Sequence, residues 1–400
     1  MDVLKGRDIL YDDSPLGPWP THLLRRVEEP TNKIVGPIER RDQRHTAFNE
    51  FMDTGPGQAP SGQQGGEAQA RPSIDQLIGR FPVGAALQDM AKHLAEFKKK
   101  ALAAAAARAP IPDDPHVRSR HLKALGYFLG ADIMGVAPAR PHAFYTHEMD
   151  GRPIDPSPYK YAVVFVCQKH DPTISASNGW EDIVDAASFQ AYVRLAVQTE
   201  IMADYIRRLG WQAETSNITR YLTLMPPLLL EAGIGEVSRM GIILNPFLGC
   251  NFKAACVLTD MELEPDGYVD FGLQEYCEHC GLCAAQCDAQ AIPYGSKTLY
   301  NGYYTWKLEA RRCAQFAFEN KEGFICGRCT KICPWHIPGQ EPRDFVAWDG
   351  SLGWLHRRVD EQRKRVISQR FVDPSENQGK WWFSLEEKEG KLWPVPDSNR

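Results

Sequence analysis

The amino-acid sequence predicts a layered fold of the α+β or α/β kind, and three segments support that prediction. Residues 159–167 (YKYAVVFVC) are a β-branched apolar run of strand length, and residues 240–249 (MGIILNPFLG) are a second buried strand of this type. From Phe189 to Leu209 apolar residues recur with helical spacing, and Gly210 is the expected end of that helix. Strands that alternate with helices indicate helices packed on a sheet.

The segments around this core have simpler compositions. Residues 53–73 are rich in Gly, Gln, Ala and Pro and have few apolar anchors, which predicts a flexible linker. Residues 94–110 (LAEFKKKALAAAAARAP) have strong helix propensity, so we expect a helix that Pro110 ends. The segment 380–396 carries three tryptophans, which we expect to pack on the core.

These features divide the 400 residues into four parts. Residues 1–75 form an N-terminal extension and linker, and residues 76–255 form the layered core. Residues 256–345 form a cysteine-rich domain, and residues 346–400 form a tail that packs on the core. A chain of this length is sufficient for two domains.

Charge and hydropathy argue against several classes of protein. The formal net charge is −5, which argues against the broad basic surface that sequence-independent nucleic-acid binding requires. No window approaches the roughly 18 consecutive apolar residues of a membrane span, and no export signal is visible near the N-terminus. We therefore expect a cytoplasmic protein with no transmembrane segment and no nucleic-acid partner. In a reducing compartment, eleven cysteines favour metal ligation over disulfides.

The cysteines are concentrated in two groups. Four of them follow the spacing C-x2-C-x2-C-x3-C, in which the first three ligate one 4Fe-4S cluster and the fourth ligates the other cluster of a two-cluster ferredoxin. This rule predicts one cluster on Cys277, Cys280, Cys283 and Cys333, and a second on Cys287, Cys313, Cys326 and Cys329. Two departures from the usual pattern are Asp288, where proline usually follows the fourth cysteine, and the displaced position of Cys313. A pair of zinc sites is the alternative, although zinc sites typically pair two C-x2-C knuckles.

Two clusters form a path for electrons, and both ends of that path need a partner. The chain has no G-x-G-x-x-G turn for a nicotinamide and no C-x4-C-x2-C motif of a plant-type cluster. We therefore expect an external electron donor, such as a ferredoxin, a flavodoxin or a separate reductase.

The segment 232–263 (AGIGEVSRMGIILNPFLGCNFKAACVLTDMEL), followed by the order of the cysteines, resembles the reductive dehalogenases. The resemblance extends over residues 20–395 and is strongest to the cytoplasmic, catabolic branch of that family. It implies a nitroreductase-like cobalamin-binding core with a ferredoxin-like domain that carries two 4Fe-4S clusters. It also implies base-off cobalamin, with no histidine ligand from the protein, held between the core and the nearer cluster.

The resemblance also implies roles for individual residues. Tyr192, ahead of YIRRLGW, matches the proton donor of the family, and Lys253 in CNFKAAC matches its basic partner. Asn217 in TSNIT lies near the position of a pocket asparagine. Taken alone, a tyrosine on an apolar helix stripe is usually a packed core residue and a single lysine is usually solvated. The joint match of Tyr192 and Lys253 to the family favours the catalytic interpretation.

Four further residues beside the cysteines have simpler interpretations. Arg311 and Arg312 are candidates to hold a substrate carboxylate, but a solvated basic turn is the simpler expectation. His279 and His336 border the cysteine motifs and are expected to be hydrogen-bonded loop residues rather than ligands.

Lysine at position 253 is similar to the family members that act on ortho-halogenated phenols, so we predict a halophenol or halo-hydroxybenzoate as the small-molecule organohalide substrate. Epoxyqueuosine reductase, which modifies transfer RNA, shares the cobalamin core and a similar cysteine pattern and is the alternative enzyme. A non-catalytic, ferredoxin-type electron carrier is the alternative of a different class. A homodimer is also compatible with the sequence.

Overall fold

The structure, a computed structural model, describes residues 15–53, 82–98, 103–177, 183–319, 326–335 and 385–394. The α-helices are α1 (Ala47–Asp53), α2 (Pro82–Lys98), α3 (Pro115–Phe128), α4 (Asp171–Ala176), α5 (Ile183–Arg208), α6 (Met225–Glu231), α7 (Leu273–Cys280), α8 (Leu282–Ala285), α9 (Ala310–Glu319) and α10 (Arg328–Ile332). The strands are β1 (Arg25–Val27), β2 (Ile133–Pro138), β3 (Tyr161–Gln168), β4 (Ala213–Ser216), β5 (Glu236–Val237), β6 (Ile243–Leu244), β7 (Phe252–Thr259), β8 (Tyr268–Asp270), β9 (Thr298–Tyr300), β10 (Tyr303–Thr305), β11 (Leu385–Lys388) and β12 (Lys391–Pro394). Almost all of the predicted linker at 53–73 lies outside the described residues, as does most of the predicted C-terminal tail.

A four-stranded sheet with the order β2-β3-β7-β4 lies at the centre of the core. Each neighbouring pair is antiparallel. The predicted mixture of helices and strands is confirmed, and the antiparallel pairing favours the α+β class of the two that the sequence left open.

The predicted strand at 159–167 is confirmed as β3, and its side chains explain its uninterrupted apolar sequence. Val163 and Phe165 pack with α5 on one face of the sheet. Val164 and Val166 pack with α6 on the opposite face. Because both faces are covered, residues 162–167 are all apolar and buried, and alternation between apolar and polar residues disappears there.

The predicted helix at 189–209 is confirmed as α5, which covers 26 residues and begins earlier than the apolar stripe. Gly210 follows the helix with a φ of +93°, a backbone conformation that favours glycine. A Cβ at this position would lie 2.6 Å from the carbonyl oxygen of Ala107. Gly210 therefore allows a second segment of the chain to approach the end of the helix.

The predicted helix at 94–110 is wrong in its second half, because α2 ends at Lys98 and residues 103–110 are irregular. The N–H groups of Ala105 and Ala109 donate to the carbonyl oxygens of Arg207 and Leu209, at 2.8 and 2.9 Å. These bonds satisfy carbonyl groups at the C-terminal end of α5 that have no partner within the helix. The tertiary hydrogen bonds thus override the helix propensity of the alanine run.

The predicted strand at 240–249 is also wrong, since only Ile243–Leu244 pair as a strand. Asn245 then starts a turn, in which its Oδ1 accepts hydrogen bonds from the N–H groups of Phe247 and Leu248 at 2.9 and 3.0 Å. The long strand is β7, which starts at Phe252. The sequence interpretation placed part of β7 in the cysteine domain.

Gly210→Ala tests the packing at the end of α5. We expect a clear decrease in the apparent melting temperature of the cluster-loaded protein, corresponding to roughly 1–3 kcal/mol, because alanine is strained at a positive φ and its methyl group collides with Ala107. The control is Gly36→Ala, whose added Cβ would meet only Gly302 Cα, at 3.9 Å, among the described residues. Equal melting temperatures for the two variants would contradict this account.

Candidate functional site: the cysteine region and the Tyr192–Lys253 pair

The first predicted set of cysteines lines one cavity. Cys277 and Cys280 lie one turn apart on α7, Cys283 lies on α8, and Cys333 follows α10. All four side chains border the same small cavity, together with Arg239 and Trp335. The structure thus places Cys333 beside a motif that is about fifty residues earlier in the sequence.

The second predicted set is also brought together. Burial raises the pKa of Cys329. The neighbouring thiols that raise this pKa further include Cys326, Cys313 and Cys287. Burial raises the pKa of Cys313 to about 11, with smaller contributions from Cys326 and Cys287. The charge of Cys329 in the second set also contributes to the raised pKa of Cys283 in the first set, so the two sets adjoin. The assignment of ligands to clusters remains a prediction.

The environment of these thiols has a chemical consequence. Iron binds the thiolate form of cysteine, yet burial raises the pKa of most of these thiols. A cationic iron centre provides the charge that stabilises the thiolates, so cluster binding is coupled to proton release. Backbone N–H groups of Ala291 and Arg328 also donate to the Sγ atoms of Cys287 and Cys326, at 3.3 and 3.5 Å.

No three His, Cys, Asp or Glu side chains within the described ranges are arranged to hold a single metal ion. The cysteines that line the first cavity are compatible with this finding, because the ligands of a cubane bind separate irons and are spaced more widely than the ligands of one ion.

Arg239 organises the backbone around the first cysteine set. It lies between β5 and β6, its side chain is only 3% exposed, and its guanidinium carbon is 4.7 Å from the centroid of the Trp306 ring. Its nitrogens donate to the carbonyl oxygens of Cys277, Glu278, Pro293, Tyr294 and Gly295 at 2.9–3.3 Å. A single side chain thus ties the first cysteine motif to the loop that follows it. The sequence analysis missed this role, although Arg239 is the one charged residue between Glu236 and Lys253.

Arg239→Met is expected to lower the iron and sulfide content of the purified protein by several-fold, because methionine fills a similar volume but cannot donate to the carbonyl groups. Chemical iron analysis and electron paramagnetic resonance of the reduced protein measure this effect. Arg208→Met, which removes an exposed arginine from α5, is the control. Full iron content in both variants would show that Arg239 does not position the motif.

Glu236 connects the N-terminal segment to α7 from a buried position. Its Oε1 accepts from the hydroxyl of Thr31 at 2.9 Å, and its Oε2 accepts from the N–H of Leu273 at 3.2 Å. Burial is the main cause that raises its pKa from 4.5 to about 8, and the nearby Asp270 adds to the effect. The native side chain therefore carries a proton at neutral pH.

The raised pKa of Glu236 makes stability depend on pH. Between pH 4.5 and about 8 the native state keeps a proton that the unfolded chain releases. The contribution of this proton to the free energy of unfolding is therefore complete below pH 4.5 and is lost as pH rises through 8. From about pH 5 to about pH 9, the apparent melting temperature of the wild type should fall relative to Glu236→Gln. Glu262→Gln, at an exposed position, is the control. A constant difference between wild type and Glu236→Gln across this range would contradict the assignment.

The structure places Tyr192 and Lys253 side by side. Tyr192 lies on α5 and Lys253 on β7, and the Lys253 Nζ is 4.8 Å from the centroid of the tyrosine ring. Phe189 packs edge-to-face against Tyr192, with ring centroids 6.1 Å apart. A cation beside a phenol ring is attracted by the ring quadrupole. The two residues are thus arranged as the sequence led us to expect, and their catalytic roles remain predictions.

Tyr221 is a third member of this group that the sequence analysis missed. It forms a side-chain hydrogen bond with Tyr192, and burial, followed by the charge of Tyr192, raises its pKa well above the usual value. Tyr221 therefore keeps its proton at neutral pH. It also lines a cavity of about 540 Å³ together with Lys98, Glu148 and Arg220. No motif in the sequence indicated this contact.

Asn217 is held in place by hydrogen bonds within the protein. Its Nδ2 donates to Thr199 Oγ1 at 3.0 Å and Glu200 Oε1 at 3.4 Å. Its Oδ1 accepts from the N–H and the hydroxyl of Thr219 at 2.9 and 2.7 Å. An amide has two donors and two acceptor positions, so these bonds to α5 and to the turn that follows β4 fill its capacity. The place of Asn217 in a substrate pocket remains a prediction.

The remaining candidates have structural partners or lie outside the described residues. Arg311 forms an ion pair with Glu50 at 2.9 Å, and Arg312 donates to the carbonyl oxygen of Gln290 at 3.4 Å. His279 contacts the carbonyl oxygen of Glu275 within its own helix at 2.9 Å. His336 lies outside the described residues. The expected basic turn and loop are wrong in conformation, because the two arginines lie in α9 and His279 lies in α7. The roles of these residues toward substrate or metal remain untested predictions.

The fold and the cysteine region define a mixed α+β chain with an iron-sulfur module, since residues 276–337 match the family model of the 4Fe-4S dicluster domain. The chain is 30% identical over 190 residues to the tetrachloroethene reductive dehalogenase of Sulfurospirillum multivorans, and the match covers 46% of this chain and 34% of that protein. The sequence comparison thus leads to the family that the motifs resemble.

Solved structures lead to the same family. One is the structure of a reductive dehalogenase that suggests a mechanism for B12-dependent dehalogenation. It aligns with a TM-score of 0.78 at 30% identity, and the alignment covers 97% of this chain and 55% of that chain. The catabolic reductive dehalogenase NpRdhA, in complex with 3-bromo-4-hydroxybenzoic acid, aligns with a TM-score of 0.78 at 29% identity over 98% of this chain and 55% of that chain. The chain therefore spans about half the length of these proteins. Its resemblance to the reductive dehalogenases is confirmed in sequence and in fold.

Among the helices that the structure describes, none has the length and apolar composition needed to cross a membrane.

Proposed function

We propose that this chain is a reductive dehalogenase, which replaces a carbon-bound halogen with hydrogen. The observation that carries the proposal is the contact between Tyr192 and Lys253, with the Nζ 4.8 Å from the ring centroid, in a chain that also has a 4Fe-4S dicluster domain. Similarity to reductive dehalogenases over nearly the whole chain supports the proposal.

The proposed cofactors are cobalamin and two 4Fe-4S clusters. The cavity lined by Cys277, Cys280, Cys283 and Cys333 has the donor set of a cubane, and the adjoining four cysteines offer the same donors for the second cluster. Cobalamin is proposed because a similar solved dehalogenase is B12-dependent. When bound, these groups supply the two electrons that carbon–halogen cleavage consumes. An external protein donor supplies those electrons in turn.

The residues of the chain provide the proton. Replacement of halogen by hydrogen consumes two electrons and one proton and releases a halide ion. Tyr192 donates the phenolic proton to the carbon atom, and the Lys253 ammonium stabilises the phenolate that remains. Tyr221 donates a hydrogen bond to the same oxygen. Since Tyr221 also lines the large cavity, we propose that protons return to Tyr192 by this route.

The proposed substrate is an ortho-halogenated phenol or hydroxybenzoate. Lys253 is a compact cation that can donate to a phenolate oxygen as well as to Tyr192. The structural relative NpRdhA was solved with 3-bromo-4-hydroxybenzoic acid, in which the bromine lies ortho to the hydroxyl group. This ligand belongs to the class of compound that Lys253 suggests.

Bromide release from 2,6-dibromophenol tests the proposal. Anaerobically purified protein, loaded with cobalamin and clusters and supplied with a low-potential reductant, is expected to release bromide. Tyr192→Phe should lower the rate of bromide release by about 10²–10⁴-fold, because phenylalanine cannot donate a proton. Lys253→Met should lower this rate as well. Tyr304→Phe, at an exposed tyrosine, should behave like wild type.

Two outcomes would contradict parts of this account. No bromide from the fully loaded protein would remove the aryl halide as substrate, and a haloalkene or a transfer RNA would then be assayed. Equal rates for wild type and Tyr192→Phe would leave dehalogenation in place and remove Tyr192 as the proton donor.

A further inference from the structure

Lys169 and Asn251 form a pair at one end of the central sheet. Lys169 follows β3, and Asn251 precedes β7, the neighbouring strand. The N–H of Lys169 donates to the carbonyl oxygen of Asn251 at 3.0 Å, and Nδ2 of Asn251 donates to the carbonyl oxygen of Lys169 at 3.2 Å. These two bonds extend the β3–β7 pairing by one position and fix the residues beside each other.

Both side chains are buried, and each keeps a polar group without a partner. Lys169 is 5% exposed, and within the described part of the chain its ammonium group has no hydrogen bond or ion pair. Asn251 is 0% exposed, and its Oδ1 receives no hydrogen bond from any residue that the structure describes. A buried polar group without a partner is unfavourable and rare, so such a group indicates a missing ligand or water.

The orientation of the Asn251 amide is determined by its neighbours. Its Nδ2 donates both to the carbonyl oxygen of Lys169 and to the carboxylate of Asp171. A flipped amide would place an oxygen against these two acceptors. The unpartnered atom is therefore an acceptor, next to a residue whose unpartnered group is a donor.

The pair lies between the two parts of the proposed active site. Lys253, which contacts Tyr192, lies two residues after Asn251, on β7. Cys250, immediately before Asn251, forms a side-chain hydrogen bond with Cys333 of the first cysteine set. Burial and the nearby charge of Lys253 lower the pKa of Lys169 to about 8, which reflects the same crowded, desolvated position.

We propose that Lys169 and Asn251 bind one peripheral carboxamide of the corrinoid, with the lysine donating to the amide oxygen and Asn251 Oδ1 accepting from the amide N–H. This inference rests on the proposed function. A carboxamide presents one acceptor and one donor in a single plane, which matches the two unpartnered groups. A carboxylate or a halide would satisfy Lys169 but would face Asn251 with a second acceptor. One ordered water can also make both bonds, and it is the competing explanation.

Equilibrium dialysis of cobalamin against the cluster-loaded protein, without substrate, tests this proposal, and bound corrinoid is measured by visible absorption. Lys169→Met should raise the dissociation constant by about tenfold or more, because a charge-assisted hydrogen bond is lost. Lys160→Met is the matched control, since Lys160 is an exposed lysine just before the same strand. It should bind cobalamin as wild type does.

Lys169→Gln provides a second variant that keeps a neutral donor and is expected to bind between wild type and Lys169→Met. It replaces Lys169→Met if the latter does not fold, as judged by circular dichroism and iron content. Wild-type affinity in the folded Lys169 variants would overturn the inference and favour the water. No cobalamin binding by the wild type would instead remove the proposed cofactor, so the two failures are distinguishable.

Discussion

The antiparallel pairing of β3 with β7 positions most of the residues discussed above. Lys253, Ala255 and Val257 alternate along β7, and Ala255 and Val257 pack toward α5, so Lys253 points to the helix that carries Tyr192. A shift of register by one residue would place Lys253 on the opposite face, against α6. The buried apolar side chains on both faces oppose such a shift, and the contact between Tyr192 and Lys253 therefore depends on packing elsewhere in the sheet.

The cysteine region depends on a different interaction. Its thiols come from the short helices α7 to α10 and from the turns beside them, and several of the thiols pack in one core with Trp306 and Trp335. A buried arginine, Arg239, supplies the hydrogen bonds that hold the loops in place. Short helices have little stability of their own, so cluster binding and folding of this region are expected to be coupled.

Three buried ionisable groups lie at the proposed site or between the N-terminal segment and the cysteine helices. Glu236, Lys169 and Tyr221 each have a pKa shifted toward the neutral form by burial. Such groups lower the stability of a domain unless a ligand or a function compensates for the cost. Lys169 and Tyr221 flank the Tyr192–Lys253 pair, where a desolvated environment would strengthen each electrostatic interaction. Glu236 lies further away and connects the N-terminal segment to the cysteine helices.

The sequence by itself determined the features that depend on local pattern. Strand β3, helix α5 and the spacing of the cysteines follow from periodicity and ligand chemistry, and the family resemblance named Tyr192 and Lys253. The tertiary structure decided what long-range contacts control. It ended the alanine-rich helix at Lys98, filled the hydrogen-bonding capacity of Asn217, and revealed Arg239, Tyr221 and the Lys169–Asn251 pair. Each of these outcomes depends on partners distant in sequence, which no local pattern specifies.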